Sequence, residues 1–127
     1  MTKTVEDLTY RIIQCAMLVH RSLGNGFQEV IYQRALAIEF KINGLLSQRE
    51  IEQDIFYAST KIGTRRVDFI VENDIIVEIK ALISLENVHL AQTKNYLNAF
   101  NKPIGLLINF GATSLQFKKI FNSKCTP

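Results

Sequence analysis

Asp68 and the run Glu78-Ile79-Lys80, with nine residues between the two acids, are the residues of this chain best suited by type and spacing to do chemistry. Each acid sits inside an apolar run, Val67-Asp68-Phe69-Ile70-Val71 and Ile75-Ile76-Val77-Glu78-Ile79-Lys80. A charge inside a strand is costly unless it is paired or binds a metal. Two carboxylates and an ammonium facing one another across a hairpin suit a hard divalent cation and an activated water.

The loop between the two runs decides which side chains meet. A two-residue turn at Asn73-Asp74 would set Asp68 opposite Ile79, a carboxylate on an apolar face. A three-residue loop, Glu72-Asn73-Asp74, pairs Asp68 with Glu78, Val67 with Ile79, Phe69 with Val77 and Val71 with Ile75. Apolar then meets apolar on one face, and Asp68, Glu78 and Lys80 share the other. Asn73 can supply the left-handed residue such loops often need. Directly opposed carboxylates repel unless a cation sits between them. Glu78 and Lys80, two apart on one strand, point the same way, so Lys80 is placed to orient or deprotonate a water. A cross-strand ion pair on a solvated face explains the same spacing. Ile70 and Ile76 on that face argue that it is covered, but spacing alone leaves both readings open.

Other residues are candidates on weaker grounds. Glu29, in Gly26-Phe27-Gln28-Glu29-Val30-Ile31-Tyr32, begins a stripe continued by Tyr32, Leu36 and Phe40. It could project inward as a third metal ligand, or simply be a first-turn acid favoured by the helix dipole. His89, Gln92 and Tyr96 share a helix face, able to hold a phosphate or a water, or to be ordinary surface. His20 reads as a satisfied, partly buried histidine. Histidine and cysteine at 15, 20, 89 and 125 have no zinc-ligand spacing. Thr64-Arg65-Arg66 and Lys118-Lys119 could touch a phosphate backbone or be solvated charge. There is no glycine-rich phosphate loop and no nucleophile elbow.

These residues need a scaffold, and the periodicity supplies one. Val5, Leu8, Ile12, Ala16, Val19 and Leu23 predict a helix over 5–23, ended by Gly24-Asn25-Gly26. A second helix is expected over 27–42; it is apolar on more than one side, which predicts deep burial. Strands follow at 46–58, 64–71 and 75–81, with a turn at Ser59-Thr60-Lys61-Ile62-Gly63. A helix near 86–100 stops before Pro103, and strands at 104–110 and 114–121 complete the order. This predicts an α/β fold, a mixed sheet flanked by helices, as a single domain over 1–127.

The totals agree with one core: 127 residues, 47% hydrophobic, 21% charged, net charge +3. A pI near 9.0 permits a polyanionic partner without requiring one. No run approaches the roughly 20 apolar residues of a membrane span, and the first residues lack the apolar core of a signal peptide. Cys15 and Cys125 make no disulfide framework, so a reduced cytoplasmic setting is expected.

Taken together, Leu23-Gly24-Asn25-Gly26, the Gly26…Glu29…Tyr32 spacing, Asp68, Glu78-Ile79-Lys80 and Gln92-Thr93-Lys94-Asn95-Tyr96 resemble the GxxExxY proteins, a group within the PD-(D/E)XK nuclease superfamily. The likeness runs from about His20 to Phe110. Its last element is similar to the Q-x-x-x-Y motif of the exonuclease-like branch. The resemblance implies a restriction-endonuclease-like αβββαβ core, here with an extra N-terminal helix, and Mg²⁺-dependent phosphodiester hydrolysis, with Mn²⁺ as a substitute. It implies that Asp68 and Glu78, with Glu29 and the Ile79 carbonyl, hold the metal. Lys80 then orients the water, and Gln92 and Tyr96 position the scissile phosphate. The expected partner is nucleic acid, DNA ahead of RNA, and a homodimer is compatible with this. A non-catalytic nucleic-acid-binding module on the same fold and a purely structural oligomer are the rival expectations.

Overall fold

The computed structural model describes residues 4–125. Its elements are α1 (Val5–Leu23), α2 (Glu29–Ile42), β1 (Ser47–Tyr57), β2 (Thr60–Val71), β3 (Ile75–Lys80), α3 (Asn87–Phe100), β4 (Ile104–Asn109) and β5 (Gln116–Phe121). The strands form one sheet in the order β1-β2-β3-β4-β5. Only β3 and β4 are parallel, and α3 is the crossover that a parallel neighbour requires. The mixed α/β sheet with an extra N-terminal helix is therefore the architecture expected from the sequence. Among the described residues no helix is long and apolar enough to cross a membrane, and Cys15 and Cys125 form no disulfide.

The two faces of the sheet carry separate cores. Leu8, Ile12 and Val19 of α1 and Leu36 and Phe40 of α2 pack on Phe69, Val77, Ile79 and Leu106. On the other face Leu97 of α3 packs on Val67, Ile70 and Ile76. α3 can come down closely because β4 carries Gly105 beneath it: a Cβ there would lie 3.1 Å from Thr93 Cγ2 and 3.2 Å from Leu97 Cδ2. The β3–β4 pair is thus covered on both sides, which accounts for the unbroken apolar runs of these strands.

Several local expectations are corrected. α2 starts at Glu29, because Gln28 is still extended (φ −76°, ψ 158°). Its deep burial is not found: Tyr32, Gln33, Leu36 and Phe40 are buried, while Ile38 and Ile42 are 60% and 70% exposed. The helix packs through one stripe only, and an apolar residue does not by itself recruit a neighbour to cover it. β2 begins at Thr60, four residues early, because Ala58 and Ser59 are both left-handed (φ 49° and 65°) and close a two-residue hairpin. The Glu72-Asn73-Asp74 loop holds as expected, with Glu72 and Asn73 left-handed and the register Phe69↔Val77, Ile70↔Ile76, Val71↔Ile75. The pairing stops there. Asp68 is not a ladder partner of Glu78, nor Val67 of Ile79, and Val67 lies on the α3 side of the sheet.

Tyr32 explains how α2 is launched. Its ring is fully buried and stacks on Phe110, with centroids 4.7 Å apart and planes 14° from parallel. Its hydroxyl donates to the Gly24 carbonyl at 2.5 Å and accepts from the Phe27 amide at 3.1 Å. The turn between α1 and α2 is therefore fastened to the core, and Glu29 leaves it at a fixed point. Tyr32→Phe removes both bonds and keeps the ring. Leaving partly buried backbone groups without this partner should cost about 1–3 kcal/mol, measured as a lower urea midpoint with an unchanged circular dichroism spectrum.

Candidate active site

The site forms where β2 parts from β3. Beyond the Phe69↔Val77 pair, the missing ladder bonds are replaced by two side-chain bonds. The Asp68 amide donates to Glu78 Oε1 at 3.0 Å, and the Ile79 amide donates to Asp68 Oδ2 at 2.7 Å. Each acid thus accepts from the backbone of the opposite strand. The break extends to β1, whose pairing with β2 passes from Arg49↔Phe69 to Ile51↔Val67 and skips Glu50, a left-handed residue (φ 52°). Strict alternation would keep Val67 on the side of Phe69. The irregularity at Glu50 and Asp68 instead turns it toward α3.

Asp68 is held from behind by a relay. Gln33 Nε2 donates to Asp68 Oδ1 at 3.1 Å, and Arg49 Nη2 donates to Gln33 Oε1 at 2.9 Å. A guanidinium can only donate, so it fixes the Gln33 amide with its NH₂ toward the carboxylate. Lys80 is fixed by the strand beyond. It pairs with Asn109, and its carbonyl accepts from the Phe110 amide at 2.8 Å. Buried Asn109 bonds both backbone groups of Leu82 (2.8 and 2.9 Å), the Gln116 side chain (3.0 Å) and the Gly111 amide (3.1 Å). A Cβ on Gly111 would lie 2.4 Å from Leu82 N and O, so this approach to the segment after Lys80 requires glycine.

Glu29 stands at the exposed first turn of α2, on the rim of the site. With Gln33, Glu50, Arg66, Asp68 and Ile79 it lines a cleft of about 260 Å³. Gln92 and Tyr96, both half-buried on α3, lie along the other side of the β1–β2 ribbon, and the Arg65 guanidinium sits 5.8 Å from the Tyr96 ring centroid. Arg65 and Arg66 therefore serve opposite faces. His89, expected beside Gln92 and Tyr96, is used as a cap: its Nδ1 accepts from the Glu86 amide at 3.0 Å. His20 bonds the Ala112 carbonyl at 3.0 Å, the satisfied role expected for it.

The electrostatics bear on whether a cation fits. Glu78 is only 6% exposed. Burial, then the neighbouring Asp68 charge, push its carboxyl up to about 8, against the Asp68 amide and the Lys80 ammonium. Asp68 is also raised, first by burial and further by Glu29, against the Ile79 amide, Lys80 and Gln33. Two oxygen-donor carboxylates that resist ionisation beside each other are what a hard divalent cation would relieve. Among the described residues, no three His, Cys, Asp or Glu groups converge closely enough to form a cage. Such a sparse set fits Mg²⁺, which keeps several waters and takes one or two carboxylates.

Gln33, Arg49, Glu50 and Asn109 were not picked out by the sequence reading. Gln33 had a signal, lying one helical turn beyond Glu29, and Asn109 had another as the polar residue within the apolar run Ile104–Phe110. Arg49 and Glu50 had none.

The raised Glu78 carboxyl has a measurable consequence. The folded state holds this proton more tightly than the unfolded chain, where the ordinary value is 4.5. The stabilising effect is therefore complete below about 4.5 and is lost as pH rises through about 8. In EDTA the urea midpoint of the wild type should fall across that window more steeply than that of Glu78→Gln. Parallel curves for the two proteins would contradict the assignment.

Comparisons with known proteins bear on the family and the fold. A profile of the PD-(D/E)XK nuclease superfamily matches residues 6–120. No match was found among curated proteins. Among solved structures, one described as the crystal structure of SSO0001 is 23% identical with a TM-score of 0.59; the match covers 72% of this chain and 48% of that one. This chain thus spans about half the length of that protein. An alkaline exonuclease, LHK-Exo from Laribacter hongkongensis, is 14% identical with a TM-score of 0.53, covering 97% of this chain and 73% of that one. At these identities the structures speak for the fold, and the profile speaks for the family. Matched over nearly its whole length, with both acids and the lysine inside the matched span, the chain belongs to the PD-(D/E)XK nuclease superfamily.

Proposed function

We propose that this chain is a Mg²⁺-dependent nuclease that hydrolyses phosphodiester bonds, in DNA ahead of RNA. One observation carries the reading: a buried carboxylate, Glu78, and a half-buried one, Asp68, clasped across a sheet break, with Lys80 two residues on along the same strand. The motif order Gly26, Glu29, Tyr32 supports the narrower GxxExxY group. Two cysteines without a disulfide fit a reducing cytoplasm. A homodimer would bring two sites to one duplex.

Asp68, Glu78 and the Ile79 carbonyl would hold the metal, with Glu29 reaching in from the rim. When bound, Mg²⁺ acidifies a coordinated water and neutralises charge on the phosphate, and Mn²⁺ can substitute. Gln33 and Arg49 keep the Asp68 carboxylate turned toward the cleft. Lys80 Nζ orients the attacking water and offers positive charge to the transition state. The Asn109 contacts keep the segment after Lys80 from moving. Gln92 and Tyr96 position the phosphate or the adjoining nucleotide. One observation favours the rival, a binding module that does not cut: among the described residues no three acidic, histidine or cysteine groups converge, and Glu29 is exposed.

Cleavage decides between them. Labelled single-stranded DNA, duplex DNA and RNA should be cut with Mg²⁺ or Mn²⁺ and spared in EDTA. Lys80→Ala and Glu78→Gln should each lower the rate by at least about 10²-fold with the circular dichroism spectrum retained. Equal cutting by wild type and both variants would overturn the assignment. In calorimetry, Mn²⁺ should show a binding isotherm that Asp68→Asn removes; an unchanged isotherm would place the metal elsewhere.

A further inference from the structure

A second and larger hollow lies on the α3 side of the β1–β2 ribbon, with a volume of about 600 Å³. That is within the size range of small-molecule sites. Gln53, Phe56, Arg65, Gln92, Asn95 and Tyr96 are among its lining residues. Phosphate hydrolysis leaves most of them without a task, and their chemistry is specific.

Three features narrow the occupant. First, the polar groups are mainly side-chain amides, each carrying a donor and an acceptor, which suits the edge of a nucleobase better than a phosphate. Second, the wall has little net charge: Arg65 is its cation, and Asp54 on the same wall is paired with Lys61 at 3.3 Å. Third, the wall offers aromatic surface. Phe56 is 59% exposed on the edge strand, and the β1–β2 register slips between Ile55 and Phe56, which brings both side chains to the groove. Tyr96 lies beneath Arg65. The groove and the acidic cleft share β2, with Arg65 lining the groove and its neighbour Arg66 the cleft. After burial, the negative charges of Glu78 and Asp68 raise the Tyr96 hydroxyl, with Arg65 opposing them.

We infer that this groove takes an unpaired nucleobase of the strand being cut, stacked on Phe56 or Tyr96 and bonded at its edge by Gln53, Gln92 and Asn95. A paired base exposes neither its face nor its Watson–Crick edge, so the groove selects single-stranded over duplex substrate near the site. This inference rests on the nucleic-acid reading above.

The test measures binding apart from cleavage. The full chain in EDTA is titrated by fluorescence anisotropy against a short labelled oligothymidylate, an abasic strand of equal length and a duplex. The base-bearing single strand should bind tighter than the abasic one. Phe56→Ala and Asn95→Ala, confirmed as folded by thermal melts, should weaken the base-bearing strand, Phe56→Ala by at least about fivefold. Neither should change the abasic affinity. Equal binding of the two single strands, wild-type affinity in both variants, or a groove that takes a peptide and ignores the bases, would each overturn the inference. Cleavage scored separately keeps the two readings apart. Cutting without base preference would sink the groove alone, and base preference without cutting would sink the nuclease alone.

Discussion

Where β2 leaves β3, two backbone amides are met by carboxylate oxygens instead of carbonyls, and the rest of the molecule is arranged around that substitution. The Asp68 amide bonds Glu78 and the Ile79 amide bonds Asp68. A sheet cannot leave buried amides without partners. The acids satisfy them while keeping further lone pairs, since a carboxylate has more acceptor sites than one amide uses. The same two groups therefore close the sheet and bear the charge. Their burial is what makes the charge expensive, and that expense is the basis of any affinity for a cation.

The surroundings share the task of keeping this point fixed. On one side, Arg49 and Gln33 hold the Asp68 carboxylate. On the other, Asn109 joins the segment after Lys80 to β4 and β5. Tyr32 ties the turn before Glu29 to Phe110, the residue whose amide bonds the Lys80 carbonyl. The turn between α1 and α2 is thus connected to the end of β3 through Phe110 and not only through the apolar core.

How much of this could be read in the sequence followed the range of the interactions. The Glu72-Asn73-Asp74 loop and the three pairs next to it were legible because a short loop and a period of two residues determine them locally, whereas the expected Asp68–Glu78 pair lies beyond the point where the ladder stops. The order of elements was legible for the same reason. The break itself was not. A left-handed Glu50 is a choice made by tertiary packing, and no composition signal marks it. The Val67 face was misassigned because alternation was carried through that break. The Gln33 contacts span 35 residues to Asp68 and 16 to Arg49, beyond any local pattern. α2 shows a related failure: its apolar residues were countable, but which face would be covered was not.

The clasp also changes what the persistence of these residues means. Because both acids are acceptors for the sheet, a descendant of this chain without the proposed activity would still be under pressure to keep an oxygen acceptor at 68 and at 78. Asparagine or glutamine would serve that purpose, whereas alanine or leucine would leave amides stranded. Lys80, for which the structure shows no comparable duty to the backbone through its side chain, is free to drift once the chemistry is gone. Under the proposed function, the lysine is therefore the better record of continued activity among relatives, and the two acids are in part a record of folding.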